Sequence, residues 1–199
     1  TAVGGLYMLV MQAVLASEIF TGKRCPRETA EAVYRRIRLQ KENIVLTGMP
    51  ASGKTTVGRL LAEKLGRPFI DTDEEIVKAA GVDIPTIFRE RGEAAFRDLE
   101  TQVIKKAGAE TGVVIATGGG AVLDENNVRA LRRNGVILFL DRSLENLVAT
   151  ADRPLSKDKE KLKNLFEKRY DIYKSCADAV IPADGEIADV VEKIKGVLL

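Results

Sequence analysis

The sequence predicts an α/β protein of the doubly wound type, with a five-stranded parallel sheet covered by helices on both faces. Three observations predict it. Short apolar runs recur at 43–47, 68–70, 112–116, 136–140 and 179–181. Stretches with helical spacing separate each run from the next. The runs are apolar at nearly every position, as strands buried on two faces read, and strands alternating with helices indicate a parallel sheet.

In chain order, helical patterns over 5–20 and 26–39 form a hairpin, with Gly22 placed to end the first helix and Pro26 to open the second. The strand at 43–47 runs into a glycine-rich turn, and the helix over 54–65 stops at Gly66. Helices over 73–80, 84–91 and 93–109 lie between the second and third strands, and one over 124–133 precedes the fourth. Helices near 143–150 and over 160–175 lead to the last strand, and a helix over 186–197 closes the chain.

Composition excludes several classes. The 199 residues are 45% hydrophobic and 30% charged with a formal net charge of +2, which fits an ordinary globular domain and carries no footprint of a general nucleic-acid binder. Only Cys25 and Cys176 are present, so neither a disulfide framework nor a cysteine zinc site is expected, and a cytoplasmic setting fits. The chain has no histidine, which removes Ser-His-Asp and Cys-His relays and leaves proton transfer to carboxylates. Residues 6–20 are apolar, but they include Gln12 and Glu18 and are shorter than the about 20 residues a membrane span needs. An amphipathic helix is the expectation there.

Gly48-Met-Pro50-Ala51-Ser52-Gly53-Lys54-Thr55 matches the phosphate-binding loop in full, directly after a strand and opening a helix. Its glycines let backbone N–H groups face a phosphate, and the helix N-terminus adds partial positive charge. Lys54 is expected at the β- and γ-phosphates of ATP and Thr55 on Mg²⁺, with Gly48, Pro50, Ala51, Ser52, Gly53 and Thr56 completing the cradle. After the second strand, Asp71-Thr-Asp73 brings two carboxylates to the C-terminal edge of the sheet, where open α/β folds bind ligands. An aspartate there is the natural acceptor for a hydroxyl proton. A helix N-cap is the alternative role for Asp73.

Across residues 43–198 the chain resembles the shikimate kinases. The resemblance rests on the phosphate loop, Asp71-Thr-Asp73, Gly92-Glu-Ala-Ala-Phe-Arg97-Asp-Leu-Glu100, Ala116-Thr-Gly118-Gly119-Gly120, Arg153-Pro-Leu155 and Arg169-x-x-x-Tyr173, in the family's order. It implies a nucleoside-monophosphate-kinase-like fold and phosphorylation of the 3-hydroxyl of shikimate by MgATP. It further implies that Asp73 is the hydroxyl ligand and base, and that Asp71 supports Mg²⁺. Arg97 and Arg169 would grip the substrate carboxylate, Gly118 to Gly120 would form the substrate loop, and Arg153 would close over the phosphates from a lid at about 150–163. A substrate-binding region at about 73–109 follows from the same likeness. The family's basic residue upstream of the lid is missing, since Ala149 or Thr150 stands there, and the segment near Pro182-Ala-Asp184-Gly185 is the candidate substitute for base recognition. Leu123 stands where a dinucleotide fingerprint needs its last glycine, so Gly118 to Gly120 are not a Rossmann turn.

Residues 1–41 fall outside that resemblance, and the kinase domain is expected over 42–199. Gly5-Leu-Tyr-Met-Leu-Val-Met-Gln12 with Phe20-Thr-Gly22 resembles the C-terminal end of shikimate dehydrogenase, which implies a dehydrogenase–kinase fusion whose remaining part is a partner of this chain. A start at Thr1 instead of Met fits a fragment. Two other readings are a different phosphate-loop kinase, of the gluconate or nucleotide type, and a non-enzymatic nucleotide-binding module. The two arginines and the glycine run oppose the first, and the filled catalytic positions oppose the second.

Overall fold

The computed structural model describes residues 5–147 and 159–198, and the chain divides into two compact units, residues 1–41 and 42–198. In the first unit, α1 (Gly5–Thr21) and α2 (Arg27–Lys41) form the expected hairpin. Gly22 ends α1 in a left-handed conformation (φ 66°), its N–H donating to Glu18 O at 2.8 Å. Tyr7 and Tyr34 meet edge to face at 5.4 Å. The amphipathic expectation for α1 does not hold. Val10 is buried, whereas Met8, Leu9, Leu15, Ile19 and Phe20 are exposed, so the apolar residues lie around the whole helix.

The second unit holds five parallel strands in the order β2-β3-β1-β4-β5, formed by β1 (Asn43–Thr47), β2 (Phe69–Asp71), β3 (Val114–Ala116), β4 (Gly135–Asp141) and β5 (Ala179–Pro182). Both faces are covered, which explains why the strands read as unbroken apolar runs. Ile44, Leu46, Leu138 and Leu140 pack with Val57 and Leu61 of α3 (Lys54–Leu65) and Val190, Val191 and Ile194 of α8 (Ile187–Leu198). On the other face, Val45, Ile115 and Ile137 pack with Ile104 of α5 (Ile84–Ala109) and Leu131 of α6 (Glu125–Arg132).

Local chemistry sets the boundaries. Gly66 stops α3 as expected (φ 62°), donating to Ala62 O and Glu63 O. Asp71 caps α4 (Thr72–Ala80), so the N-cap role considered for Asp73 belongs to its neighbour two residues earlier. The two helical patterns at 84–91 and 93–109 form one element, α5, kinked at Gly92 (φ 78°, ψ 172°), a conformation open only to glycine. The helix expected near 143–150 is a 3-10 turn at Leu144–Asn146, and residues 148–150 lie outside the described residues. A second 3-10 turn, Ala121–Leu123, precedes α6, and α7 spans Lys159–Cys176.

Register brings Thr47, Asp71, Ala116 and Asp141 to one edge of the sheet, through the pairs Asp71↔Ala116, Leu46↔Ala116, Thr47↔Phe139 and Asp141↔Pro182. The phosphate loop, Asp73 and the glycine run all issue from that edge.

At Gly108, α5 touches the backbone of α6 so closely that a Cβ would lie 2.5 Å from Ala130 O. Gly108→Ala gains about 1 kcal/mol of helix propensity, yet overpacking against backbone typically costs about 1–3 kcal/mol. Urea denaturation should show a net loss of stability; a gain would mean that the contact yields freely.

Candidate active site

The phosphate loop is a run of unusual backbone angles between β1 and α3. Gly48 (φ 148°), Ala51 (φ 64°) and Gly53 (φ 86°) turn the chain, and a Cβ on Gly48 would lie 2.8 Å from Leu140 O. Ala51 is the only non-glycine residue in the left-handed region among the described residues, a strain of the kind held at functional sites. Lys54 is buried inside the loop, its Nζ donating to Gly48 O at 3.0 Å and Met49 O at 2.7 Å. Lys54, expected at the β- and γ-phosphates, is folded onto the loop's own carbonyls. Ser52 is buried beside it, while Thr56 is exposed in the first turn of α3.

Asp71 uses both carboxylate oxygens. Oδ2 accepts the Thr55 hydroxyl at 2.6 Å, and Oδ1 accepts the backbone N–H groups of Asp73 (2.9 Å) and Glu74 (3.4 Å). One residue thereby joins the end of the phosphate loop to the start of α4, and Asp73, in the first turn of that helix, faces a cavity of 840 Å³. The same cavity is lined by Pro50, Thr55, Asp71, Arg97, Gly118, Gly119, Gly120 and Arg169. Residues widely separated in sequence, and assigned separately to nucleotide and acceptor, therefore share one space. Arg153 lies outside the described residues.

The three glycines lie in close contact with their surroundings. Gly118, Gly119 and Gly120 have no left-handed backbone, but each lies against a different part of the site. A Cβ on Gly118 would stand 2.5 Å from Asp73 Oδ1 and 3.1 Å from Glu100 Oε1, and one on Gly119 would stand 3.0 Å from the Pro50 ring. A Cβ on Gly120 would run into the Arg97 guanidinium. The run is held from α7, where Arg169 and Tyr173, one turn apart, both donate to Gly119 O, and from α4, where Thr72 Oγ1 accepts the Gly118 N–H at 2.9 Å. Burial pushes the Tyr173 phenol up to about 12, so it stays a donor at any ordinary pH.

Arg97 is fixed by two carboxylates. Nη1 donates to Glu100 Oε2 at 2.6 Å and Nη2 to Glu93 Oε1 at 3.2 Å, with the guanidinium over the Phe96 ring at 5.2 Å. Glu100 is 1% exposed, whereas Glu93 is 68% exposed in its side chain, so Glu100 is the permanent anchor and Glu93 a solvated one. Burial raises the Glu100 carboxyl above its ordinary value, although Arg97 and Arg169 pull it down. Burial also opposes the charge on Arg97, but Glu100 and Glu93 outweigh it and its pKa rises. Both values rise, with opposite effects on charge: the carboxylate form of Glu100, almost wholly enclosed, is disfavoured, whereas Arg97, with about a third of its side chain open, keeps its charge.

Glu100 and Tyr173 stand within quoted motifs, but the sequence assigns them no role. The i,i+3 spacing of Arg97 and Glu100 is the signal that pairs them. Nothing in the sequence tells Glu100, which is buried, from Glu93, which is open.

Comparison with known proteins gives the same picture. The family model described as shikimate kinase matches residues 50–198, and one described as shikimate 5'-dehydrogenase C-terminal domain matches residues 5–33. The chain is 41% identical over 163 residues to a shikimate kinase of Clostridium beijerinckii, covering 80% of this chain and 96% of that one. It is 49% identical over 142 residues to one of Caldicellulosiruptor saccharolyticus, covering 68% and 83%. The solved shikimate kinase of Acinetobacter baumannii in complex with shikimate superposes with a TM-score of 0.77 at 35% identity, over 82% of this chain and 96% of that one.

The raised pKa of Glu100 carries a sign. The stability it contributes is fully present below the ordinary glutamate value of about 4.3 and is lost as the pH rises through its higher folded value. Glu100→Gln cannot titrate. Parent stability minus variant stability should therefore fall between pH 4 and pH 7 in chemical denaturation, and a rising difference would show that Arg97, and not burial, governs this carboxyl.

Proposed function

Because the chain belongs to the shikimate kinase family, and so transfers the γ-phosphoryl group of ATP to the 3-hydroxyl of shikimate, we propose that this cavity is where it does so, with Asp73 as base and Arg97 and Arg169 as carboxylate clamp. The observation that carries the assignment is the shared space. Asp73, the Thr55–Asp71 pair and the two arginines line one cavity, so a small hydroxylated acid gripped at one end can offer a hydroxyl to the phosphate loop at the other.

Guanidinium suits the grip, since its planar fork binds a carboxylate with two parallel hydrogen bonds. Glu100 presets the Arg97 fork before substrate arrives, and Arg169 is preset by the Gly119 carbonyl. Preset groups lose little freedom on binding. Asp73 accepts the proton as the new oxygen–phosphorus bond forms and the bond to the bridging oxygen of ATP breaks. Lys54 and the N-terminus of α3 stabilise the charge that develops on the phosphates.

Thr55 and Asp71 supply two hard oxygens 2.6 Å apart beside the loop, a donor set that fits Mg²⁺, which keeps most of its waters and takes one or two protein ligands along with phosphates. Bound there, the ion would neutralise phosphate charge. Arg153, in the expected lid, would add a further cation over the phosphates. A nucleotide kinase, whose acceptor carries a phosphate and a base, would have no use for two preset carboxylate forks.

Residues 1–41 form a separate unit that we assign to the tail of a shikimate dehydrogenase, whose remaining part would cover the apolar residues around α1. The match at 5–33 and the exposed Leu9, Leu15, Ile19 and Phe20 support this, since a helix apolar on all sides is ordinarily buried in a larger body. Among the described residues no helix is long and apolar enough to cross a membrane.

Asp73→Asn should lower kcat by about 10²–10⁴-fold with ATP affinity retained; turnover within a few-fold of the parent would remove Asp73 as base. Arg97→Lys and Arg169→Lys should each raise KM for shikimate, because an ammonium lacks the fork. Unchanged KM in both would revive the alternative kinases. A chain starting near Lys41 should fold and phosphorylate shikimate, while the 199-residue chain should not reduce NADP with shikimate; a folded but inactive truncation would place the functional boundary elsewhere.

A further inference from the structure

Arg142 follows β4 directly, on the sheet edge that carries the phosphate loop. An ideal Cβ on Gly53, the residue that opens α3, would sit 3.9 Å from Arg142 Nη1, so the guanidinium stands against the N-terminus of that helix. Its Nε is buried and has no hydrogen-bond partner among the described residues. A buried donor left unpaired is unfavourable, and a helix N-terminus repels a cation. The position is thus doubly unfavourable for an arginine on its own.

The neighbouring carboxylate attracts the charge without giving Nε an acceptor. Asp184, in the loop after β5, accepts the Ser143 N–H and hydroxyl and the Asn146 side-chain amide, each at 2.9 Å. Asp184 feels the charge of Arg142, but the hydrogen bonds from Asn146 and Ser143 come first in holding its pKa down. Its work is to buckle the β5–α8 loop onto the segment that follows β4, and that buckle fixes the stretch from which Arg142 projects. The arginine is held in place by surroundings that leave its Nε without an acceptor.

We infer that Arg142 is a nucleotide-binding residue, whose guanidinium pairs with the phosphate chain of ATP where that chain leaves the phosphate loop. This rests on the reading of the loop as the ATP site. A polyanion at the N-terminus of α3 would give the orphan Nε and the Nη groups their acceptors and reverse the sign of the field they meet. It also places a cation beside the nucleotide from a position outside the lid, in a chain where Ala149 or Thr150 stands at the family's upstream basic position.

The test measures steady-state kinetics of Arg142→Ala, Arg142→Gln and Arg142→Lys in the full chain, together with the inhibition constant of inorganic triphosphate against ATP. Loss of a charge-assisted pair should raise KM for ATP about tenfold or more in the Ala and Gln variants. The triphosphate constant should rise by a similar factor, and KM for shikimate should stay within twofold. Lysine should recover part of the loss. An unchanged KM for ATP in folded Ala and Gln variants overturns the inference. A rise for ATP without one for triphosphate also overturns it, by moving the contact to the nucleoside. Should Arg142→Ala not fold, Arg142→Gln, which keeps a polar group over the same stem, decides alone. Lys54→Ala separates the two readings: if it leaves ATP affinity intact, the phosphate-loop reading fails, whereas if it abolishes ATP binding while the Arg142 variants bind normally, only the present inference fails.

Discussion

The carboxylate of Asp71 reaches two ways at once, toward the Thr55 hydroxyl at the end of the phosphate loop and toward the N–H groups that open α4, and the geometry of the whole site depends on that double use. Parallel register delivers Asp71 to the edge where β1 releases the loop, and hydrogen bonding through both oxygens then fixes the orientation of α4 relative to α3. Asp73 inherits its position from this. Its side chain faces the cavity because the residue two before it caps the helix, so the phosphate loop and the cavity wall are tied through one local structure.

Around that junction, the site is organised by burial of charge. Glu100 is enclosed, and Arg97 beside it opposes the rise that burial imposes on its carboxyl. Removing one member of such a pair leaves the other uncompensated, which costs more than the pair contributes. Arg97 in turn leans on Gly120, and Gly118 leaves room for Asp73 and Glu100. The glycine run is a set of recesses into which functional side chains fit, held open from α7 by Tyr173 and Arg169.

Much of this was legible in the sequence. The strand at 43–47 and the helix at 54–65 coincide with the observed elements, because an unbroken apolar run and a glycine stop are strong local signals. The phosphate loop was legible for the same reason, its whole pattern lying within eight residues. What stayed hidden depends on distance along the chain. That Gly118 to Gly120 accommodate Asp73, Pro50 and Arg97 follows from packing between segments up to 70 residues apart and leaves no periodic trace. The capping role considered for Asp73 went to Asp71 because both residues suit a cap, and β2 extends one residue further than its apolar run. The expected amphipathicity of α1 failed since apolar residues on every side of a helix define no face.

The glycine at the bend of α5 has a consequence for how the protein breathes. At Gly92 the backbone leaves helical angles, so the helix after it begins with N–H groups that no preceding turn can satisfy, and the hydrogen-bond ladder of residues 84–91 is not continuous with that of 93–109. The two halves are joined instead by side-chain packing, with the Phe88 and Phe96 rings 4.7 Å apart across the bend. The first, with α4, lines the cavity through Val77, Ile84 and Phe88, and the second carries Arg97 and Glu100 and is anchored in the sheet's core through Ile104. Local unfolding of the wall therefore has to break that aromatic contact before it can leave the element that holds the charged pair intact.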